Sequence, residues 1–275
     1  MIRFFLALVL FSSTAIRVHA CTVFVLSDTN RVLFCNNEDG AKTKTRIWFI
    51  PSGPKHYGCV YVGYDDGWAQ GGMNTEGLAC DWVAGWREAW NPDPGLPEVR
   101  GNQQVLETCA TIEEAIAFYR EHREPTFWYA KVLLTDRTGA SVLIGAQDGK
   151  LQVERAYQSR GLGYGGRILE RMLAESSEPT VTSGVKILRA CRQKGKFATK
   201  YYNVFDVKSG DIFLFPFPDR NDEVKLNLAV ELRKGPHYYD MTKIRKQLKQ
   251  APRPLLANME RFPLEKTKPI SNEED

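Results

Sequence analysis

The sequence predicts an α+β fold in which helices are layered on antiparallel sheets. Short β-type runs follow one another in pairs, separated by turn residues, through the first third of the chain. Segments with helical periodicity are grouped in the middle of the chain, and strands return after them. The strand–helix alternation that would indicate a parallel sheet does not occur. A composition of 43% hydrophobic and 25% charged residues is typical of a soluble globular protein.

The first strands form a hairpin and then further pairs. Residues 21–27 are β-type, the turn-forming residues 28–30 follow, and residues 31–35 make the second run. Further strands are predicted at 46–50, 59–64 and 78–83.

The middle of the chain combines helices with a meander. Thr111 and Glu114 make a capping box that opens an amphipathic helix. Two more helices are predicted, one at 166–175 and one beginning near 182. The remaining strands are predicted at 127–135, 141–146, 151–157, 200–207, 211–217 and 224–232.

The first twenty residues have the pattern of a secretory signal peptide. Arg3 precedes the apolar run 4–11, and Val18-His19-Ala20 forms an A-x-A-like cleavage site before Cys21. The apolar run is shorter than the ~20 residues that a membrane span needs. We therefore expect cleavage after Ala20 and export, to the periplasm or outside the cell. A lipoprotein signal also ends before Cys, although this one is a poor lipobox, and that alternative stays open.

The mature chain is predicted to be one domain followed by a tail. Residues 21–250 show no internal repeat and no boundary. Residues 251–275 are rich in proline and charge and are expected to be a loosely packed extension.

Charge and metal-ligating residues exclude several functional classes. The net charge is +4, and Arg3 and Arg17 in the leader account for two of these charges. The remaining balance of 4 − 2 = +2 is interspersed with acidic residues, so a nucleic-acid partner is not expected. The six cysteines include no C-x-x-C pair and the histidines are scattered, so no metal is expected.

One glycine-rich motif matches a dinucleotide-binding pattern but lacks its structural context. Residues 161–166 fit G-x-G-x-x-G, but the strand before them belongs to an antiparallel meander. A dinucleotide site requires a parallel βαβ unit, so we expect neither dinucleotide binding nor any other cofactor.

A cysteine at the mature N-terminus can act as both nucleophile and base. An α-amine titrates near ~8 and a thiol near ~8.5, so the amine of Cys21 can take the thiol proton, directly or through water. It can later protonate a leaving amine. No histidine is required.

The opening hairpin predicts partners for this cysteine. With a turn centred on residues 29–30, the numbers of paired residues sum to about 59, which places Cys21 opposite Glu38. A one-residue bulge would place it opposite Asp39. A carboxylate at either position can hold the ammonium group and fix its orientation.

These segments resemble a known family. Cys-Thr at 21–22 followed by Asn-Asn-Glu-Asp at 36–39 is similar to the Cys-Thr and Gly-Arg-Asn-x-Asp motifs of choloylglycine hydrolases and penicillin V acylases. Met-Asn-Thr-Glu-Gly-Leu at 73–78 resembles their Met-Asn-Glu-x-Gly-Leu segment. The helix start at 164–168 resembles their Ser-Arg-Phe, and the hairpin from residue 200 their late hairpin. The similarity runs in order from Cys21 to about residue 232.

The resemblance implies a fold, a reaction and a set of site residues. It implies a four-layer αββα sandwich and hydrolysis of a linear amide through a thioester. It assigns site roles to Cys21, Asn36, Asp39 and Arg167. Gln158 falls near the position of the second site asparagine of the family and retains an amide.

Two departures separate this chain from the named substrates of the family. Asn36 replaces the arginine beside the nucleophile, which removes a positive charge that favours thiolate. The position of the usual oxyanion asparagine falls on Ala84, where only a main-chain N–H could serve. Specificity for bile salts or penicillin is therefore not implied.

Three functional hypotheses follow. The first is an amidase that acts on a small-molecule N-acyl amide, with Trp86 and Trp90 at the rim of an apolar acyl pocket. The second is an acyltransferase that uses the same site. The third is a non-catalytic binding protein of the same fold, exported or lipid-anchored. The sequence leaves the oligomeric state open.

Overall fold

A computed structural model describes residues 21–157, 159–175, 178–220 and 222–261. The predicted leader, Gln158 and residues 262–275 lie outside the described part of the chain.

The described residues form two antiparallel sheets, and the first has six strands. The strands of this sheet are β1 (Thr22–Ser27), β2 (Val32–Asp39), β10 (Arg160–Gly163), β11 (Thr199–Asp206), β12 (Asp211–Phe215) and β13 (Val224–Asn227). Their spatial order is β10, β1, β2, β11, β12, β13.

The second sheet has eight strands within the described residues. Its order is β14, β3, β4, β5, β6, β7, β8, β9, so seven consecutive strands form a meander and the last strand returns to its edge. The strands are β3 (Thr45–Ile50), β4 (Cys59–Tyr64), β5 (Ala69–Asn74), β6 (Ala79–Ala84), β7 (Ala130–Thr135), β8 (Ser141–Gln147), β9 (Lys150–Ala156) and β14 (His237–Asp240).

Helices cover the outer face of each sheet. The second sheet carries α1 (Gly101–Thr108) and α2 (Ile112–Glu121), and the first carries α3 (Gly166–Glu175) and α4 (Val181–Ala190). The described chain is completed by two short helices and three 3₁₀ turns: α5 (Leu228–Leu232), α6 (Ile244–Gln247), Pro125–Trp128, Met241–Lys243 and Ala257–Met259. The predicted four-layer αββα sandwich is therefore confirmed.

Three apolar layers hold the sandwich together. The central layer lies between the sheets, where side chains such as Phe34, Phe49 and Phe205 are fully buried. Cys21 belongs to this layer. Side chains that alternate along β2 divide between this layer and the one under α3 and α4, where Cys35 lies. Because the central layer receives side chains from both sheets, residues of both sheets surround Cys21.

The capping box correctly predicted α2. The Thr111 side chain accepts a hydrogen bond from the Glu114 N–H at 3.2 Å, which satisfies one of the free donors of the first turn. Ile112, Ala115 and Ile116 face the core as the periodicity predicted.

Several local predictions were wrong. The predicted strand at 224–232 ends at Asn227, whose side chain caps α5 by accepting from the Val230 N–H. The predicted strand at 127–135 begins only at Ala130, after a 3₁₀ turn. The elements α1, α6, β5, β10 and β14 and the 3₁₀ turns at Met241–Lys243 and Ala257–Met259 were not predicted.

The glycine-rich segment 161–166 begins in an antiparallel edge strand of the first sheet. Its first residues form β10, which pairs antiparallel with β1, so no parallel βαβ unit is present at this segment.

Three residues in the first part of the predicted C-terminal extension contact the sandwich. Arg253 forms an ion pair with Asp240 at 2.7 Å, and Arg261 pairs with the buried Glu107 at 2.9 Å. Met259 is fully buried in the outer layer. These contacts tie residues 253, 259 and 261 to the sandwich, while most of the residues from 251 to 261 are exposed.

Gly163 brings β10 against the start of β1. Its φ is +121°, and a Cβ atom built there would lie 2.3 Å from the Cys21 carbonyl oxygen. The next residue, Tyr164, donates its N–H to that same oxygen at 2.7 Å. Only glycine fits both the dihedral angle and the space.

We expect Gly163→Ala to lower the free energy of unfolding by about 1–3 kcal/mol, because it imposes a strained dihedral angle and a collision with the main chain. Denaturant unfolding measures the change. Gly166→Ala is the matched control, since a Cβ atom added at Gly166 would meet no other atom within 4 Å. Equal stability of the two variants would contradict the prediction.

Candidate active site

The register of β1 and β2 places Cys21 beside two carboxyl groups. Thr22 pairs with Asn37 and Val23 with Asn36, so paired numbers sum to 59 as predicted. One step beyond Thr22, Cys21 reaches Glu38 and Asp39 at the end of β2.

Both functional atoms of Cys21 are held by these neighbours. Its main-chain nitrogen donates to Asp39 Oδ2 at 3.0 Å. This nitrogen is a peptide N–H here and marks the position that an α-amine would occupy in a chain beginning at Cys21. The Sγ atom lies 3.7 Å from Glu38 Oε1 and 3.8 Å from the Asp39 carbonyl oxygen. Cys21 has a φ of +66°, in the left-handed region.

Asp39 is fixed from its other side by β11. Thr199 donates its hydroxyl to Asp39 Oδ1. Burial raises the pKa of Asp39 to about 7, against the lowering effects of the hydrogen bonds from Thr199 and the Cys21 nitrogen and of the charge on Lys200. An ammonium group at the Cys21 nitrogen would favour the ionised carboxylate further.

Two buried carboxyl groups, Glu38 and Asp81, lie on the central side of their strands. They are 2% and 1% exposed, and each points to the same face of its strand as neighbouring residues of the central apolar layer. Asp81 Oδ1 accepts the Trp82 N–H, whereas Asp81 Oδ2 and Glu38 Oε2 have no hydrogen-bond partner. Burial raises the pKa of both groups, and the charge of Asp81 raises that of Glu38 further.

Neutral polar side chains surround this pair. Tyr64 and Tyr201 are buried, and the hydroxyl of each lacks a partner. Tyr64 approaches Glu38 closely enough to lower the pKa of the carboxyl, without forming a hydrogen bond of normal geometry. Asn36 and Asn203 oppose each other across β2 and β11, and both of their side-chain amides lack partners.

The surroundings disfavour a thiolate at Cys21. Burial raises the pKa of the thiol, and the charges of Glu38, Asp39 and Asp81 raise it further. The cationic group that would offset these charges is missing, because Asn36 stands where the similar family carries arginine. A positive charge or a proton acceptor beside the sulfur is therefore needed for nucleophilic chemistry.

The structure brings together some of the predicted site residues and separates others. Cys21 and Asp39 are in contact at the ends of β1 and β2, and Asn36 opposes Val23 two residues along β1. Trp86 packs against the same central layer, with Lys131 Nζ 5.5 Å from the centre of its ring. Arg167 is exposed on the first turn of α3, and no hydrogen bond or ion pair within the described residues joins it to Cys21 or Asp39.

The other predicted positions lie away from the sulfur or outside the described residues. Ala84 is the last residue of β6 and pairs with Ala130. Trp90 packs in the outer layer and donates to the Glu124 carbonyl oxygen at 2.9 Å, so it is not a rim residue beside Cys21. Gln158 is the position that falls outside the described part of the chain.

Asp81, Thr199 and Tyr201 were missed from the sequence. Asp81 carries a signal that could have been read, because it is the only charged residue in the apolar strand Ala79–Ala84. Thr199 and Tyr201 carry none, since their roles follow from the pairing of β11 with β2.

The described residues contain no cluster of three or more ligating side chains that could hold a metal ion. All six cysteines are buried and unbonded there. No helix in this part of the chain is long and apolar enough to cross a membrane.

Comparison with known proteins shows which solved structures share this fold. No family model matches the sequence, and no curated protein matches it. Solved structures do match, and they show the fold: the chain has the sandwich fold of a penicillin V acylase and a conjugated bile acid hydrolase. The resemblance to choloylglycine hydrolases and penicillin V acylases is thereby confirmed at the level of the fold.

Among the similar structures is the penicillin V acylase of Agrobacterium tumefaciens, with a TM-score of 0.64 and 17% sequence identity. The match covers 80% of this chain and 91% of the acylase. Two variants of the conjugated bile acid hydrolase of Clostridium perfringens match with TM-scores of 0.57 and 0.58 at 14% identity. Each covers 80% of this chain and 96% of the hydrolase.

The raised pKa of Asp81 predicts how stability depends on pH. A carboxyl whose pKa is raised on folding stabilises the native state fully below its unfolded pKa, and this contribution is lost as pH rises toward the folded pKa. Asp81→Asn removes the titration. We therefore expect the variant to melt at a higher temperature than the wild type at pH 8, with a gain that shrinks toward pH 5. The slope is at most roughly 1.4 kcal/mol per pH unit.

Thermal melts across this pH range measure the difference, and Asp211→Asn is the control. Hydrogen bonds with Lys225 and Asn227 outweigh burial and lower the pKa of Asp211, so its loss should destabilise the protein at pH 8. A gain for Asp81→Asn that does not depend on pH would contradict the assignment.

Proposed function

We propose that this chain is an exported amidase that hydrolyses a small-molecule N-acyl amide through a thioester on Cys21. The observation that carries the proposal is the position of Cys21 in this fold. Its nitrogen lies 3.0 Å from Asp39 Oδ2, and its sulfur lies on the same side of the strand end. Nucleophile, prospective amine and orienting carboxylate thus meet at one residue pair.

The chemistry proceeds in two stages. The Cys21 sulfur attacks the amide carbonyl carbon, the C–N bond breaks, and the leaving amine takes a proton. Water then hydrolyses the thioester and restores the thiol. The α-amine supplies the base of the cycle and, when protonated, the acid that the leaving amine needs. Asp39 holds that amine in place and is itself held by Thr199.

The proposal includes removal of residues 1–20. Only cleavage between Ala20 and Cys21 converts the Cys21 nitrogen from a peptide N–H into an amine. The signal-peptide pattern of the leader supports both this cleavage and export to the periplasm or the medium.

The remaining site residues receive roles from their positions. The Asn36 amide, buried and without a partner, is available to a substrate or a bound water. Trp86 offers an apolar ring to the acyl group. Arg167, exposed at the start of α3, and Gln158 are proposed to contact the distal part of the substrate.

A free amine at Cys21 is predicted to be essential. Protein that begins at Cys21 should hydrolyse chromogenic N-acyl anilides, whereas a chain with one extra residue before Cys21 should be inactive, because its thiol remains but its base is gone. Cys21→Ala should be inactive too.

Intact mass and Edman sequencing establish which N-terminus each sample carries. Full activity of uncleaved Met-Cys21 protein would show that the amine is not the base. A retained leader or a diacylglyceryl mass on exported protein would overturn the maturation proposal and favour the lipid-anchored alternative.

Asp39 is predicted to act on rate more than on binding. Asp39→Asn keeps the size and hydrogen-bonding capacity of the side chain and removes its charge. We expect kcat to fall by about 10²-fold or more with KM little changed, since the amine loses the group that orients it. The pH optimum should also shift, because an ammonium without its carboxylate partner loses its proton at lower pH.

The pH–rate profile and the separate values of kcat and KM measure this effect. If Asp39 only shaped the turn before Gly40, asparagine would serve equally well and neither quantity would change.

A further inference from the structure

The two sheets of the sandwich have different widths at the border next to β10. Within the described residues the first sheet ends at β10, whereas the second continues beyond β6 through β7, β8 and β9. Arg160 of β10 donates a hydrogen bond to the Glu154 carbonyl oxygen of β9 at 2.9 Å, so this border faces the last strands of the second sheet. Val83 of β6 is fully buried, but Lys131 of β7 and Gln152 of β9 are only partly buried. The inner face of β7 to β9 is therefore incompletely covered.

The strand register identifies the side chains that share this face. Lys131 pairs with Val83, which belongs to the central apolar layer, and paired residues point to the same side of a sheet. A Cβ atom at Gly145 of β8 would lie 2.7 Å from Lys131 Cγ, so the lysine stem occupies the space that this glycine leaves open. Gln152 pairs with Gly145 from the other side. Lys131, Gly145 and Gln152 thus form one row across three strands, which is called the border face here.

The ammonium group of Lys131 has no counter-ion among the described residues. Its Nζ lies 5.5 Å from the ring centre of Trp86, which packs against the central layer. Asp81 is its diagonal neighbour on β6, yet Asp81 Oδ2 has no partner, so Lys131 does not neutralise it. The nearby Arg160 is already paired with Glu154. A partly buried cation without a counter-ion favours the binding of an anion.

The position of the α-amine determines which part of a substrate reaches the border face. In the proposed cycle the Cys21 amine protonates the leaving nitrogen, so the leaving amine lies on the Asp39 side of the sulfur, toward β2. β10 adjoins β1 on the side opposite to β2. The acyl group therefore extends toward β10 and the border face. Trp86 and Leu162 of β10 both pack against the central layer and offer apolar surface along this direction.

We propose that Lys131 recognises a carboxylate at the distal end of the acyl group, so that the substrates are ω-carboxyacyl amides. The inference rests on the proposed function, because it takes Cys21 as the nucleophile of an amidase. In such a substrate an apolar chain joins the scissile carbonyl group to a carboxylate. The chain contacts Trp86 and Leu162, the Lys131 ammonium pairs with the carboxylate, and the Gln152 amide offers a second donor. One ammonium balances the single charge of a carboxylate, whereas a phosphate monoester carries more.

The charges around the sulfur fix the direction in which this substrate binds. Glu38, Asp39 and Asp81 act on the Cys21 thiol, and all three are acidic. A substrate that brought its carboxylate to this end would face like charge, which disfavours the reversed orientation. The acidic end and the single unpaired cation together place the scissile bond at Cys21 and the carboxylate at Lys131.

Paired chromogenic substrates test the assignment. They are the mono-p-nitroanilides of succinic, adipic, suberic and sebacic acids, each compared with its methyl ester, so that chain length varies while only the charge differs within a pair. Protein that begins at Cys21 should hydrolyse the best acid with a kcat/KM about tenfold or more above that of its ester, the value of a hydrogen bond to a charged group. A preference for the esters throughout the series would overturn the proposal.

Variants assign this preference to one side chain. Lys131→Met retains an apolar stem of similar length and removes the charge, so the acid-to-ester ratio of kcat/KM should fall about tenfold, toward one. Lys131→Arg keeps the charge and should retain most of the ratio. Lys186→Met is the matched control, because Lys186 is exposed on α4, on the far side of the first sheet, and its loss should leave the ratio unchanged. An unchanged ratio in Lys131→Met would overturn the proposal.

A measurement on the unsubstituted protein guards against misfolded variants. The ratio should fall as ionic strength rises, because salt screens a partly exposed ion pair but not the apolar contacts that acid and ester share. A ratio above one that does not respond to salt would contradict recognition by charge.

Binding to Cys21→Ala protein separates this inference from the proposed function. Calorimetric titration with the suberic acid monoanilide and its methyl ester should show tighter binding of the acid, and Lys131→Met in the same background should abolish the difference. Such binding without hydrolysis by the Cys21 protein would refute the amidase and uphold the role of Lys131. Hydrolysis of neutral anilides with equal binding of acid and ester would uphold the amidase and refute the role of Lys131.

Discussion

The pairing of β1 with β2 determines where the atoms of the candidate site lie. Because Thr22 opposes Asn37, the nitrogen and sulfur of Cys21 fall on Asp39 and Glu38. A shift of β1 by one residue would turn the Cys21 side chain toward the helical layer and away from Glu38, since strand side chains alternate between faces. Two further contacts depend on this pairing. Thr199 donates a hydrogen bond to Asp39, and β10 packs against the Cys21 carbonyl group at Gly163.

The parts of the site that could be predicted are those encoded within a short stretch of chain. The turn at residues 28–30 fixes the hairpin register, and the register alone brings Glu38 and Asp39 to Cys21. The signal for the helix beginning at Ile112 was equally local, because the capping residues Thr111 and Glu114 lie within one turn of each other. In each case the signal and the structure involve the same few residues.

The remaining parts depend on contacts between distant segments. The charge of Asp81 acts on the Cys21 thiol only because the second sheet packs on the first, and Tyr201 joins the site only because β11 lies beside β2. No periodicity in either segment reports such packing. The strand predicted through Asn227 failed for a related reason: an apolar run is compatible with strand or helix, and the cap that decides between them is a single side chain.

The left-handed conformation of Cys21 has a thermodynamic consequence for the proposed maturation. For a residue with a Cβ atom, a φ of +66° carries roughly 1–2 kcal/mol of steric strain. If the peptide bond before Cys21 is hydrolysed as proposed, that dihedral angle and its strain cease to exist, while the folded surroundings remain. The equilibrium for cleavage of a folded precursor would then lie further toward the products, by a factor of about 5–30, than the equilibrium for a relaxed chain.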